Sequence, residues 1–119
     1  MDPIAPTLDD HGVMDFIAAG LVVLEGLIGP GFNRRCDDLA PGNCDAFIAS
    51  ADFTREVLLH PQVAGVARSL LGADFLVPRG GHHHFFKKPH LGQTWHSDGL
   101  SGSGYDVTEL QCYYYPHAV

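Results

Sequence analysis

The stretch Lys87-Lys-Pro-His-Leu-Gly-Gln-Thr-Trp-His-Ser-Asp-Gly99 decides how the rest of the chain is interpreted, because it contains a His-x-Asp pair, His96 and Asp98. Residues two apart on an extended segment point the same way, so this pair can place an imidazole nitrogen and a carboxylate oxygen on one metal ion. Two histidines and one carboxylate on one face of an octahedral metal are the ligands of non-haem Fe(II) oxygenases. A hydrogen bond between the two side chains within a loop is the alternative interpretation.

Histidines are concentrated around this motif. The 119-residue chain has 8 histidines against 7 lysines and arginines. The second half of the chain contains most of them: His82, His83, His84, His90, His96 and His117. The three cysteines are odd in number and form no C-x-x-C motif, which argues against a disulfide framework and against a structural zinc site.

Composition excludes several classes of partner. The net charge of -7 offers no basic surface for nucleic acid or for an anionic membrane. The apolar runs are too short to cross a bilayer, and Met1-Asp-Pro lacks the basic start of a signal peptide. We therefore expect a soluble, cytoplasmic protein with one domain over residues 1–119 and a small-molecule substrate.

Three segments have the pattern of a helix. The first begins near Thr7, where Thr7 and Asp10 resemble a capping arrangement, and stops at Gly20. A short helix is predicted over 52–57, and a longer one begins at Pro61 and stops at Gly72. The glycine- and proline-rich stretch 26–44 is predicted to be mostly loop.

Four short segments have the composition of strands. They are rich in β-branched or aromatic residues and are bounded by glycine or proline. They cover 21–24, 75–77, 81–87 and 110–115, and the last two flank a glycine- and serine-rich loop over 89–105.

The order of these features resembles the phytanoyl-CoA dioxygenase family of Fe(II)/2-oxoglutarate oxygenases, in which a K-P-rich turn leads into W-H-x-D-G. The segment Phe16-Ile-Ala-Ala-Gly-Leu-Val-Val-Leu-Glu-Gly26 is similar to the family's opening helix and strand. Residues 60–72 are similar to its helix before the barrel, and 110–116 to the strand after the motif. The resemblance covers nearly the whole chain.

The resemblance implies a mainly β fold with N-terminal α-helices, an incomplete double-stranded β-helix (a cupin-like jelly roll). It also implies that the catalytic residues His96 and Asp98 hold Fe(II), that 2-oxoglutarate is the co-substrate, and that O2 hydroxylates a small organic substrate. An intact Asp98 favours hydroxylation, because relatives that halogenate lack this carboxylate.

Four further residues are predicted to contact the cofactor. Strand alternation places His82, His84 and Phe86 on one face, and the family draws co-substrate contacts from the equivalent strand. The resemblance adds Tyr115, near which the strand after the motif contributes a pocket residue. A solvated edge or an adventitious zinc site explains the triple histidine equally well.

Two features of the family have no counterpart in this sequence. Its members carry a distal histidine and, shortly after it, an arginine that binds the far carboxylate of 2-oxoglutarate. His117 is the one histidine after Asp98, and no arginine follows Arg79. A jelly roll needs about eight strands, and four or five are predicted. We therefore expect the N-terminal portion of a longer oxygenase that is inactive by itself; a small complete domain is the alternative.

Two other functions fit the same residues. A non-redox, cupin-like metal-binding module would use His82, His84, His96 and Asp98 to hold Zn²⁺ or Ni²⁺. A structural or interaction fragment would bind no metal, and replacement of His96 and Asp98 would then leave the metal content unchanged.

Overall fold

The computed structural model describes residues 3–84, 92, 94 and 108–117. The first helix, α1 (Asp10–Ala19), confirms the predicted helix, which ends at Gly20 in the left-handed region with φ 77°. Its cap differs from the prediction. The carboxylate of Asp9, rather than Thr7, accepts a hydrogen bond from the Gly12 N–H at 2.8 Å.

The stretch predicted to be loop contains helices, so that prediction is wrong. Helix α2 covers Pro30–Asp37, a 3-10 turn covers Pro41–Asn43, and α3 covers Cys44–Ile48. Pro30 occupies the first helical position, where a backbone N–H would have no partner within the helix, so the lack of an N–H in proline loses no hydrogen bond. The proline therefore marks the start of a helix rather than a loop.

The helix predicted over 52–57 is present but changes geometry along its length. Helix α4 (Ala51–Phe53) is capped by the preceding residue, Ser50, whose hydroxyl accepts a hydrogen bond from the Phe53 N–H at 3.1 Å. It continues directly as a π-helix over Thr54–Leu58. The Leu59 N–H donates to the Thr54 carbonyl at 2.8 Å, the five-residue spacing that defines this rare helix type.

Helix α5 (Pro61–Leu71) is the clearest confirmation of a sequence prediction. Pro61 lies at its first position, and the His60 side chain accepts from the Gln62 N–H at 3.3 Å. Gly72 follows its end with φ 91°. None of the helices in the described ranges has the length and apolar character that crossing a membrane requires.

The core lies between α2, α4 and the π-helix. Its buried residues are Phe32, Phe53 and Val57, and Tyr114 packs against them from the far end of the chain. We call Phe32, Phe47, Phe53 and Tyr114 the aromatic core. The centroids of neighbouring rings lie 5.2 to 6.4 Å apart, within the range of favourable aromatic pairs.

The mainly β jelly roll predicted from the sequence is wrong for the described residues, which are helical and form no strand or sheet. The predicted strand segments 21–24, 75–77 and 110–115 have no regular structure, and 81–84 has none in the part of 81–87 that is described. Val23 is 68% exposed and Leu76 91%. β-branched composition shows that a segment suits a half-buried sheet surface, but a strand forms only when a second backbone pairs with it.

Candidate functional site

The two predicted metal ligands, His96 and Asp98, lie outside the described residues, as does Phe86. The structure describes the chain up to His84 on one side of the motif and from 108 to 117 on the other, apart from residues 92 and 94. These flanking segments contain the other predicted site residues, His82, His84 and Tyr115.

The structure brings His82 and His84 together. Both side chains are exposed, and their ring centroids lie 4.6 Å apart with the planes inclined at 53°. The strand whose alternation assigned the two residues to one face is absent over 81–84, so their proximity arises in a segment without regular structure. Their predicted contact with 2-oxoglutarate stays a prediction.

Helix α3 positions this histidine segment. The Asp45 carboxylate, in the first turn of α3, accepts a hydrogen bond from the His83 N–H at 2.9 Å. A Cβ built on Gly81 would meet the Cγ2 of Ile48 at 3.2 Å, so glycine allows the segment to lie close against the helix. Sequence reasoning missed Asp45, because it lies 38 residues from its partner, just after the stretch 26–44 that was predicted to be mostly loop.

The three consecutive tyrosines face different surroundings. Tyr115, predicted to line a pocket, is 60% exposed, and Tyr113 is 64% exposed. Tyr114 is half-buried, and its hydroxyl donates to Oδ1 of Asn33 in α2 at 2.6 Å. The packed tyrosine is therefore the one that alternation assigns to the opposite face from Tyr113 and Tyr115.

A second contact joins the same segment to α2. Nδ1 of His117 lies 2.9 Å from Oδ1 of Asp37. Asn33 and Asp37 are four residues apart on a helix and therefore share a face, on which Tyr114 and His117 rest. His117, the one histidine after Asp98 in the sequence, contacts α2 in this structure.

Burial within this contact changes the acidity of Tyr114. Desolvation is the largest cause that raises the pKa of its hydroxyl well above the usual value, and the nearby Cys36 and Asp37 raise it further. The hydroxyl therefore remains a hydrogen-bond donor at neutral pH. Its geometry and its acidity both suit a structural contact.

A shallow groove of about 410 Å³ lies beside the π-helix and contains none of the predicted site residues. It is lined by Ala49, Ala51, Thr54, Arg55, Leu59 and Arg79. Arg55 is already paired, since its Nη2 lies 2.7 Å from Oδ1 of Asp52. Hydrogen bonds from Arg55 and Arg35 lower the pKa of the Asp52 carboxyl.

The described residues contain no cluster of three or more His, Cys, Asp or Glu side chains that could hold a metal ion. A metal centre with three or more protein ligands would therefore include residues outside the described ranges, such as the predicted ligands His96 and Asp98. An imidazole and a carboxylate fit Fe(II) by ligand type. His96 and Asp98 are two positions apart in the sequence, a spacing that allows both to bind a single ion.

Comparison with known proteins adds no relative: no family model, curated protein or solved structure matches this chain.

Proposed function

We propose that this chain provides the metal-binding motif of an Fe(II)/2-oxoglutarate-dependent oxygenase that hydroxylates a small organic substrate with O2. The observation that supports the proposal is the run Trp95-His96-Ser97-Asp98-Gly99, which follows Lys88-Pro89 after five intervening residues, in the order found in the phytanoyl-CoA dioxygenase family. The jelly roll that usually accompanies this motif is no part of the proposal.

Each residue of the motif has a distinct role in this proposal. His96 donates a neutral imidazole nitrogen to the metal, and Asp98 donates a carboxylate oxygen that also offsets part of the metal's charge. When bound, Fe(II) would activate O2, which is the oxidant, and 2-oxoglutarate would supply two electrons as it is converted to succinate and CO2. With two ligands on the motif and no arginine after Arg79, we expect weak Fe(II) binding and no turnover by these 119 residues.

We further propose that the protein works in the cytoplasm. Cys36, Cys44 and Cys112 are all free thiols, which fits a reducing compartment. Desolvation raises the pKa of the Cys36 and Cys112 thiols, which lowers the fraction present as the thiolate, the form that oxidises.

One observation favours a second candidate function, a non-redox module for Zn²⁺ or Ni²⁺. The proximity of the His82 and His84 rings provides two imidazoles before the motif, and His96 and Asp98 would complete a four-ligand site. The two functions differ in their response to 2-oxoglutarate, since a bidentate oxo-acid binds to open positions on Fe(II) and a closed four-ligand zinc site has none.

The proposal is tested by anaerobic Fe(II) titration of the chain, with and without 2-oxoglutarate, followed by calorimetry and by the visible absorption of the Fe(II) chelate. We expect 2-oxoglutarate to tighten Fe(II) binding. His96→Ala and Asp98→Asn each remove a direct metal ligand and should weaken Fe(II) binding. The loss of affinity should exceed the about 10- to 100-fold cost of removing an outer-shell partner of a ligand. His90→Ala and Asp106→Asn, in the same part of the sequence, are the matched controls and should leave Fe(II) binding unchanged.

Two results would contradict the proposal. One is Fe(II) binding that the motif variants and their controls affect equally. The other is tight Zn²⁺ binding that needs His82, His84, His96 and Asp98 together and does not respond to 2-oxoglutarate, which would support the non-redox module.

A further inference from the structure

We propose that His82 and His84 form a binding site of their own for a borderline divalent cation, of which Cu²⁺ binds most tightly and Zn²⁺ next. The site has two protein ligands, with water in the remaining positions. It uses neither His96 nor Asp98 and does not depend on the function proposed for that motif.

The separation of the two rings fits chelation of one ion. A metal about 2.0–2.1 Å from an imidazole nitrogen lies about 3.2 Å from the centre of that ring. Two rings on adjacent positions at 90° then have centroids about 4.5 Å apart, and at the tetrahedral angle about 5.2 Å. The centroids of His82 and His84 are 4.6 Å apart in the structure. The centroid separation is therefore compatible with one shared ion.

The backbone of this segment is held in place before any ion binds. The bond from the His83 N–H to Asp45, at 2.9 Å, ties the residue between the two ligands to α3. Gly81, the preceding residue, lies close against Ile48 of the same helix. A ligand pair on a fixed backbone loses less conformational freedom on binding.

Access and charge also favour a cation. The His82 and His84 side chains are exposed, so water and ions reach them. The chain carries a net charge of -7, which raises the local concentration of cations around it. Imidazole ligands select Cu²⁺ and Zn²⁺ over Mg²⁺ and Ca²⁺, which prefer oxygen.

Titration of the 119-residue chain with Cu²⁺, and separately with Zn²⁺, tests this site by calorimetry. His82→Ala and His84→Ala should each weaken binding at least about tenfold, because loss of an outer-shell partner of a metal ligand alone costs about 10- to 100-fold. The double variant should bind no more weakly than the weaker single variant, since one ligand does not chelate. His83→Ala is the matched control, because it removes the intervening side chain and keeps the backbone bond to Asp45, and it should leave the affinity unchanged.

Variants of the motif show whether the site is separate. His96→Ala and Asp98→Asn should leave binding to the His82–His84 site unchanged. The inference is wrong if His83→Ala weakens binding as much as its neighbours do, if neither His82→Ala nor His84→Ala weakens it, or if the motif variants abolish it. The first two outcomes would leave the oxygenase proposal untouched, whereas loss of binding in the motif variants would point to the four-ligand module; the response of Fe(II) binding to 2-oxoglutarate tests the oxygenase proposal separately.

Discussion

Helix α1 and the helices around the aromatic core have similar local signals but opposite surroundings. The side chain of Asp9 caps α1 and that of Ser50 caps α4, and each accepts a backbone N–H of the first turn. Yet α1 has no buried residue, and its Met14 and Ile17 are 62% and 64% exposed. Phe53 of α4, in contrast, is 5% exposed.

The difference shows that capping and terminating residues determine where a helix begins and ends, whereas burial of its side chains requires a second apolar surface. Among the described residues, α2, α4 and the π-helix provide such surfaces for one another through Phe32, Phe53 and Val57. Most helical stability in proteins comes from packing of this kind rather than from helix propensity. We therefore expect substitutions in the two regions to differ sharply in cost.

Truncation of one apolar side chain in each region gives the largest expected contrast. Phe53→Ala removes a buried ring that contacts three other rings, and we expect it to lower the free energy of unfolding by about 3–5 kcal/mol. Ile17→Ala removes an exposed side chain and should change it by less than about 0.5 kcal/mol. Urea unfolding followed by circular dichroism measures both values. Equal effects would mean that α1 buries its apolar residues in solution.

The next prediction concerns the contact that attaches the N-terminal segment to α5. Ser69 Oγ accepts from the N–H groups of Thr7 and Leu8, at 3.1 and 3.0 Å. A Cβ added at Gly65 would lie 2.3 Å from Cγ2 of Thr7 and 2.8 Å from the Ala5 carbonyl oxygen. Gly65→Ala should therefore destabilise the protein by about 1–3 kcal/mol despite the better helix propensity of alanine.

A glycine without neighbours is the control for that substitution. A Cβ at Gly31, in α2, would have no atom within 4 Å, and this residue has no positive φ. Gly31→Ala should stabilise the protein by about 0.4–1 kcal/mol, because alanine restricts the unfolded chain more than glycine does. Thermal unfolding and hydrogen exchange at the Thr7 and Leu8 amides measure both variants. Stabilisation by Gly65→Ala, with unchanged protection of those amides, would show that the N-terminal segment does not pack on α5.

Local sequence signals predicted α1, α5 and the helix over 52–57, but they missed α2 and α3 and predicted strands that the described residues do not form. Pro61 and Gly72 bound α5, and Gly20 ends α1, because proline and glycine act through the backbone of their own segment. The predicted strands failed because pairing depends on a distant backbone that no local pattern specifies.

The same limit applies to the candidate site. His82 and His84 are close in the sequence and their rings are close in the structure, but the strand on which the prediction placed them is absent over 81–84. The bond from His83 to Asp45, and those from Tyr114 and His117 to α2, join residues 38 to 81 positions apart. Only the folded chain shows such contacts.

The smallest expected contrast compares two adjacent tyrosines, one packed on α2 and one exposed. Tyr114→Phe removes the hydrogen bond to Asn33 and should cost about 1 kcal/mol at neutral pH. Tyr113→Phe removes a surface hydrogen bond to Gln111 and should cost less, since water replaces it. Urea unfolding at pH 7 compares the two variants.

The pH dependence of the stability difference between Tyr114→Phe and the unsubstituted chain shows whether the Tyr114 hydroxyl is desolvated in the folded protein. The pKa of Tyr114 is raised in the folded protein, whereas a tyrosine in the unfolded chain has a pKa of about 10. Above that pH the unfolded chain loses a proton that the folded protein keeps, so this contribution to stability is present below pH 10 and is lost as the pH rises. The raised thiol pKa values of Cys36 and Cys112 act in the same direction, but both Tyr114→Phe and the unsubstituted chain retain them. The stability difference between these two proteins should therefore shrink as the pH rises above 10, and a difference that stays constant would place the Tyr114 hydroxyl in water.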